Sequence, residues 1–222
     1  MTEQTDEHKE PSLAPACLVV AILGLAAVCA FCGFGSWIVF SDQYPFAYKG
    51  IDEQLIPWVK QSQLAPEDKA SIVDQLQELL PIIEERSIDK EQLLRLRNCL
   101  QDNPILLWGG VQSILEQAEG TDLTETERET LKRLTERLMR MATDRLLARN
   151  DMEFTLQPCA TVRDDQLGLE VRTDLTGDEI RKFMERSEQL LQNNDIPNMS
   201  YDKTPAEAFG ILVEAALNPP KI

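Results

Sequence analysis

Apolar residues recur every three or four positions over most of the chain, a spacing that predicts a mainly α-helical protein. Seven segments of helical length show it, beginning near residues 51, 66, 87, 104, 124, 176 and 204. After residue 150 the apolar period changes to two, which is typical of strands. The expected fold is therefore a domain of about six or seven helices with a minor two-stranded β element.

Prolines and polar residues mark where several of these helices begin and end. The first short helix is expected over residues 51–61. Pro66 begins the second helix, and Pro81 is expected to bend or end it. Ser87 is the predicted cap of the third helix, and Asn103, which precedes a proline, begins the fourth.

Three capping boxes predict the starts of the remaining helices. In each, a threonine precedes a glutamate by three residues: Thr124 with Glu127, Thr176 with Glu179, and Thr204 with Glu207. The helix after Thr124 is expected to run to about Arg149, with leucine and methionine on one face and charged residues on the other. That pattern predicts a helix lying on a hydrophobic core.

Two short runs of alternating apolar residues predict the β element. The runs are Met152, Phe154 and Leu156, then Leu167, Leu169 and Val171. A proline and an Asp-Asp pair lie between them, so a loose antiparallel pair that leans on the helices is expected. A sub-boundary of the domain near residue 150 is expected where the period changes.

One segment near the N-terminus is suited to a membrane. Residues 13–40 contain no Asp, Glu, Lys, Arg or His over 28 positions, which predicts a single transmembrane helix because a bilayer core needs only about 20 such residues. Aromatic residues crowd its C-terminal end: Trp37, Phe40, Tyr44, Phe46 and Tyr48. The chain is thus divided into an acidic tail (1–12), a membrane helix (13–40), an aromatic interfacial linker (41–50) and an acidic helical domain (51–222).

A cleaved signal peptide, cut at Ser36 after two small glycines, is the competing interpretation of the apolar segment. The acidic tail and the length of the run favour an uncleaved anchor. A lipoprotein site at Cys29 or Cys32 is disfavoured because bulky residues precede both cysteines. Lysine and arginine counts do not decide the orientation. The non-cytoplasmic side is favoured for the domain because short N-terminal anchors commonly export the domain that they precede.

Charge and histidine content exclude several function classes. Of 22 basic and 38 acidic side chains, one and four lie in the first 40 residues, which leaves a net charge of −13 for residues 41–222. Such a domain repels nucleic acid. The single histidine is His8 in the tail, so no His-dependent catalytic triad or His-ligated zinc site is expected within the domain. Gly109 and Gly110 lack the residues of a phosphate loop and predict a packing contact or a kink.

The domain has two cysteines, Cys99 and Cys159, which are too few for a cysteine zinc site. Buried free thiols are the expected state. A disulfide between them is the alternative if the domain is exported.

Two charged clusters are candidates for ligand sites. The acidic cluster, Asp164, Asp165, Glu170, Asp174 and Asp178, offers oxygen ligands for a cation such as calcium but lacks EF-hand spacing. The basic cluster is Lys132, Arg133, Arg137, Arg140, Arg145 and Arg149. Most of its charge has an acidic neighbour at i,i+4, so a self-paired solvated face is favoured. No catalytic, cofactor or metal residue is therefore predicted.

These observations favour a membrane-anchored, non-enzymatic protein-interaction or scaffold domain. The alternative is a carboxylate-based metal-binding protein or enzyme. The expected partners are the lipid bilayer, through residues 13–40, and a protein, but not nucleic acid. Weak self-association is a further expectation, from the small-residue stripe Ala26, Ala30 and Gly33 and the long helix after Thr124. Arg145 at a core-like position of that helix argues against an extended coiled coil.

Overall fold

The computed structural model describes residues 43–162 and 169–219 of the chain. Within them the fold is mainly helical with one small two-stranded sheet, as the sequence predicts. The helices are α1 (Tyr44–Lys49), α2 (Ile56–Gln61), α3 (Pro66–Glu84), α4 (Lys90–Gln101), α5 (Trp108–Ala118), α6 (Glu125–Thr143), α7 (Arg149–Leu156), α8 (Gly177–Asn193) and α9 (Pro205–Leu217). A π-helical segment, Gly50–Leu55, joins α1 to α2, and 3₁₀ turns cover Pro104–Leu107 and Gln157–Cys159.

Helix α9 lies at the centre of the core. It packs against α3, α4 and α6, and its residues Phe209 and Ala208 are fully buried. Helix α6 packs on α8, and α8 packs on α7, so one connected core serves all the described helices. Burial of these apolar faces is the main source of stability for short helices in water.

The three threonine capping boxes are confirmed. Each threonine hydroxyl accepts a hydrogen bond from the amide of the glutamate three residues on, and each glutamate side chain accepts one from the threonine amide. Helices α6, α8 and α9 therefore begin where their local sequences predict.

The first helix begins earlier than the sequence predicts. Residues 41–50 were expected to form a linker, but Tyr44–Lys49 is helical and continues through the π-helical segment. Tyr44, Ala47, Tyr48 and Ile51 share one face and pack against the core, which stabilises the helix. The π-helical segment ends at Leu55, two residues before Pro57, which has no amide proton to donate.

Two boundaries near α3 also differ from the prediction. Helix α3 continues through Pro81 to Glu84, because the proline lies in the last turn and removes only one helical hydrogen bond while Ile83 is fully buried. The cap of α4 is Asp89 rather than Ser87. Its carboxylate accepts from the Gln92 amide at 2.8 Å, and the Gln92 side chain accepts from the Asp89 amide at the same distance.

Helix α6 ends at Thr143 rather than near Arg149. Arg145 adopts a φ of 62°, and the amide of Leu146 donates to the carbonyl of Met141, which closes the helix end. The chain then turns and begins α7 at Arg149. The helix is thus shorter than expected, and α7 is a separate helix that begins where the expected helix was to end.

The predicted first strand is wrong, because residues 152–156 belong to α7. Met152 and Leu156 are buried at helical spacing, whereas Phe154 is exposed. An alternation over five residues also fits an i,i+4 pair, so the short pattern did not distinguish the two structures. The first strand is instead β1 (Ala160–Val162), and it pairs antiparallel with β2 (Leu169–Val171).

The second strand is confirmed for Leu169 and Val171, whereas Leu167 lies outside the described residues. No helix among residues 43–162 and 169–219 is long and apolar enough to cross a membrane. The tail, residues 1–12, and the expected membrane helix, residues 13–40, also lie outside the described part of the chain.

Candidate functional site

A groove lies between the end of α2, the start of α5 and strand β2. Helix α7 supplies a further wall. The groove is lined by Trp58, Gln61, Ser62, Gln63, Leu106, Leu107, Gly109, Gly110, Leu156, Leu169, Glu170 and Val171. These residues come from four separate parts of the sequence, so the groove exists only once the core has assembled.

Gly109 brings α5 into direct contact with the backbone at the groove's base. A Cβ atom at this position would lie 2.2 Å from the Gln63 carbonyl carbon and 2.2 Å from the Leu64 nitrogen. Only glycine tolerates an approach this close. At the neighbouring Gly110, a Cβ would lie 2.8 Å from a Val171 methyl group. The sequence prediction of a packing contact at the two glycines is confirmed.

The side chain of Gln63 pairs with the main chain of β2. Its amide nitrogen donates to the Val171 carbonyl at 2.9 Å, and its amide oxygen accepts from the Val171 amide at 2.9 Å. A neighbouring strand would make the same two hydrogen bonds. The Gln63 side chain thus takes the place of one residue of a neighbouring strand.

The register of the sheet shows what lies beside this pair. The Arg172 amide donates to the Cys159 carbonyl, so the next hydrogen-bonded pair along the ladder is Thr161 with Glu170. Leu169 and Val171 each lie opposite a β1 residue without exchanging hydrogen bonds with it. The amide and carbonyl groups of these two residues therefore point away from β1. The amide and carbonyl of Leu169 therefore face the same outer edge as the Gln63 side chain.

Two other glutamines, both in α5, hold the segments around the groove by hydrogen bonds. Gln117 donates to the Arg172 carbonyl at 2.7 Å and accepts from the Leu175 amide at 3.1 Å. Gln112 accepts from the Ala65 amide at 3.0 Å. The two ends of the groove are therefore attached to the same helix.

The groove is lined by apolar side chains together with Gln61, Ser62, Gln63 and Glu170, and it contains one aromatic ring that is partly exposed. Trp58 contributes this ring, and Leu107 and Leu156 are buried beneath. The Arg149 guanidinium lies 6.0 Å from the centre of the Trp58 ring and pairs with Glu153 at 2.9 Å. This cation is thereby balanced locally and leaves the wall close to neutral.

Few ionisable groups line the groove. Glu170 is the one ionisable side chain among the lining residues. The Ser62 hydroxyl donates to the Val59 carbonyl at 2.7 Å. The groove offers main-chain groups, amides and an aromatic surface.

Of the acidic cluster, Glu170, Asp174 and Asp178 lie within the described residues. Asp178 pairs with Arg181 at 3.0 Å, and Asp164 and Asp165 lie outside the described residues. Within the described ranges, no group of three or more His, Cys, Asp or Glu side chains is placed to hold a metal ion.

The basic cluster is divided by the end of α6. Arg140 pairs with Asp144 at 3.6 Å, as its spacing predicts. Arg137 instead donates to the Ile196 carbonyl at 2.6 Å, where it attaches the loop after α8 to α6. Arg149 lies on α7 beside the groove, so these arginines do not form one surface.

Cys99 and Cys159 are free thiols, and the disulfide alternative is therefore wrong. Their sulfur atoms contact different carbonyls, Cys99 that of Leu212 at 3.5 Å and Cys159 that of Glu179 at 3.4 Å. Burial raises the pKa of Cys99 to about 11 and that of Cys159 to about 12. Both thiols are protonated and unreactive at neutral pH.

Arginines reinforce two of the capping boxes. Arg181 bonds Glu127 at 2.7 Å, and Arg172 bonds Glu179. Hydrogen bonding to Arg181, followed by that to Thr124, lowers the pKa of Glu127 to about 2. Hydrogen bonding to the Thr176 amide, then to Arg172, lowers the pKa of Glu179 to about 2. Arg181 connects α8 to the start of α6, and these contacts stabilise the fold rather than form a ligand site.

Sequence reasoning missed the groove, although the pair of glycines after Trp108 was its one local signal. The decisive pair, Gln63 and Val171, is 108 residues apart in the chain. No protein-family model, curated protein or solved structure matches this chain.

Proposed function

We propose that this protein is a membrane-anchored, non-enzymatic interaction domain that binds an extended segment of a partner protein in the groove beside β2. The observation that carries the proposal is the pairing of Gln63 with Val171. This side chain makes the bonds of an added strand and leaves the adjacent main-chain groups of Leu169 facing the groove. An extended peptide would continue the same pairing at Leu169.

The apolar walls supply the second part of recognition. A strand added at Leu169 would place alternate side chains towards Trp58 and towards solvent. Partly exposed aromatic rings beside a main-chain edge are typical of peptide-binding surfaces. Affinity would come from the main-chain bonds, and selectivity from the side chain that meets Trp58.

Charge narrows the class of peptide. The groove's lining has one acidic residue, Glu170, and residues 41–222 carry a net charge of −13. An acidic segment would be repelled during approach, whereas a neutral or basic one would be attracted. The proposed ligand is therefore an extended, apolar segment without acidic residues.

Leu169→Pro tests the pairing directly. Proline lacks the amide proton, and at this edge position the lost proton is not used in the β1–β2 ladder. Leu169→Val is the matched control, because it keeps the amide and an apolar side chain. Peptides selected from a random library on the full chain in nanodiscs would be measured by fluorescence anisotropy against all three proteins.

The proposal expects peptides with apolar residues and few acids to bind the wild type and Leu169→Val with similar affinity. Leu169→Pro should lose about tenfold or more in affinity, as expected for one lost main-chain hydrogen bond and its desolvated partner. Equal binding to Leu169→Pro, or failure to select any peptide, would contradict the proposal.

The anchor is tested separately. Membranes containing the full chain would be washed with alkaline carbonate, which releases peripheral proteins. Residues 13–40 are expected to hold the chain in the pellet. Release into the supernatant would contradict the anchor without bearing on peptide binding.

A further inference from the structure

Helix α1 carries a large apolar side chain on its outer face. Phe46 is 65% exposed, although the neighbouring positions on the helix pack against the core. Phe46 therefore adds little to the apolar burial that holds α1 on the domain. The residues around Phe46 and its position in the chain indicate what contacts this side chain.

The orientation of Phe46 is fixed by the inner face of α1. Tyr44, Ala47 and Tyr48 pack on the core, and the Tyr44 hydroxyl donates to the Ile88 carbonyl at 2.8 Å. Helix α1 also packs on α3. Phe46 therefore points outward from a helix held on the domain.

The charges near Phe46 fit the surface of a neutral bilayer. Lys49, also exposed, lies one turn further along the same face. A phenylalanine beside a lysine is typical of the headgroup layer, where the ring enters the apolar boundary and the ammonium group reaches water. Glu53, exposed on the next turn of that face, disfavours strongly anionic lipid.

The position of α1 in the chain identifies the occupant. The uncharged run ends at Phe40, and Phe46 lies six residues later. Six residues span at most about 20 Å, and the polar layer on each side of a bilayer is about 5–8 Å thick. Phe46 is thus within reach of the headgroup layer whenever residues 13–40 cross the membrane.

We infer that the outer face of α1, with Phe46 and Lys49, lies against the headgroup layer of a zwitterionic membrane. The inference rests on the anchor in the proposed function, but not on peptide binding in the groove. In this arrangement, part of the expected interfacial linker is a helix whose outer face contacts the membrane surface.

A photo-crosslinking phenylalanine analogue placed at position 46 tests the inference. The full chain would be reconstituted into phosphatidylcholine nanodiscs, irradiated and digested, and lipid adducts would be measured by mass spectrometry. Position 154 is the matched control, because Phe154 is also exposed, at 55%, but lies on α7 and is stacked on Arg186 at 4.3 Å. Circular dichroism would confirm that both labelled proteins keep their helix content.

The inference expects a lipid adduct at position 46 with a yield several-fold above that at position 154. An adduct with protein at position 46, or equal lipid yields at both positions, would overturn it. Alkaline carbonate extraction of membranes that contain each labelled full-length chain separates the two claims. A chain that stays in the membrane but gives no adduct at position 46 overturns only this inference, whereas a chain that is extracted overturns the anchor as well.

Discussion

Replacing Gln63 with leucine should weaken the whole domain, because its amide substitutes for a neighbouring strand. The variant removes two hydrogen bonds of 2.9 Å and leaves the amide and carbonyl of Val171 without partners. Val171 is only 2% exposed. Each unpaired buried group costs about 1–3 kcal/mol, and water entering the open groove reduces this, so a loss of about 2–4 kcal/mol is expected.

The measurement is the thermal unfolding of residues 43–222, since Tyr44–Ile222 forms a compact unit by itself. For a domain of this size, a loss of about 3 kcal/mol lowers the melting temperature by about 6–12 °C. Gln61→Leu is the control. It changes an exposed glutamine of the same groove for which the described residues show no hydrogen bond, so its effect should stay within about 0.5 kcal/mol.

Gln63→Glu separates the hydrogen bonds from the shape of the side chain. Its carboxylate keeps an acceptor for the Val171 amide but places a second oxygen against the Val171 carbonyl. It should remain less stable than the wild type at neutral pH. Equal melting temperatures for Gln63→Leu and Gln61→Leu would refute the reasoning, because the pairing would then contribute nothing.

Three further predictions concern contacts within the domain. Gly109→Ala should destabilise the fold by several kcal/mol, because its Cβ meets backbone at 2.2 Å, whereas Gly50→Ala has open space and should be neutral or slightly stabilising in the same melting assay. The pKa values of Glu127 and Glu179 are lowered from 4.5 to about 2, so the unfolded chain binds more protons between these values. The contribution of these two carboxylates to the free energy of unfolding is therefore complete above about pH 4.5 and is lost as the pH falls towards 2. Urea unfolding midpoints that do not fall over this pH range would contradict the prediction. Cys159, fully buried with a pKa raised to about 12, should resist iodoacetamide at pH 8 in the folded domain and react in urea, and rapid labelling without denaturant would show that the packing is wrong.

The starts of α6, α8 and α9 were predictable because their signals are local. The threonine and glutamate of a capping box lie within four residues, so Thr124, Thr176 and Thr204 could be identified without knowing the rest of the fold. Helix ends were less predictable. The sequence around Arg145 continues the amphipathic pattern, and only the tertiary packing selects its left-handed conformation and the turn into α7.

The candidate site was mostly beyond prediction for the same reason. Gly109 could be recognised as a packing position, but its partner, the backbone of Gln63, lies 46 residues earlier in the chain. A glutamine side chain that substitutes for a strand has no sequence signature of its own. Its role depends on β2, whose other neighbour, β1, replaced the strand expected over residues 152–156.

Amide hydrogen exchange at Leu169, measured by NMR with and without a selected peptide, tests the central claim most directly. In the free domain the Val171 amide should be protected by Gln63, whereas the Leu169 amide should exchange quickly. Peptide binding by strand addition should protect Leu169 and leave Val171 unchanged. A peptide that binds while the Leu169 amide continues to exchange quickly would contradict the account.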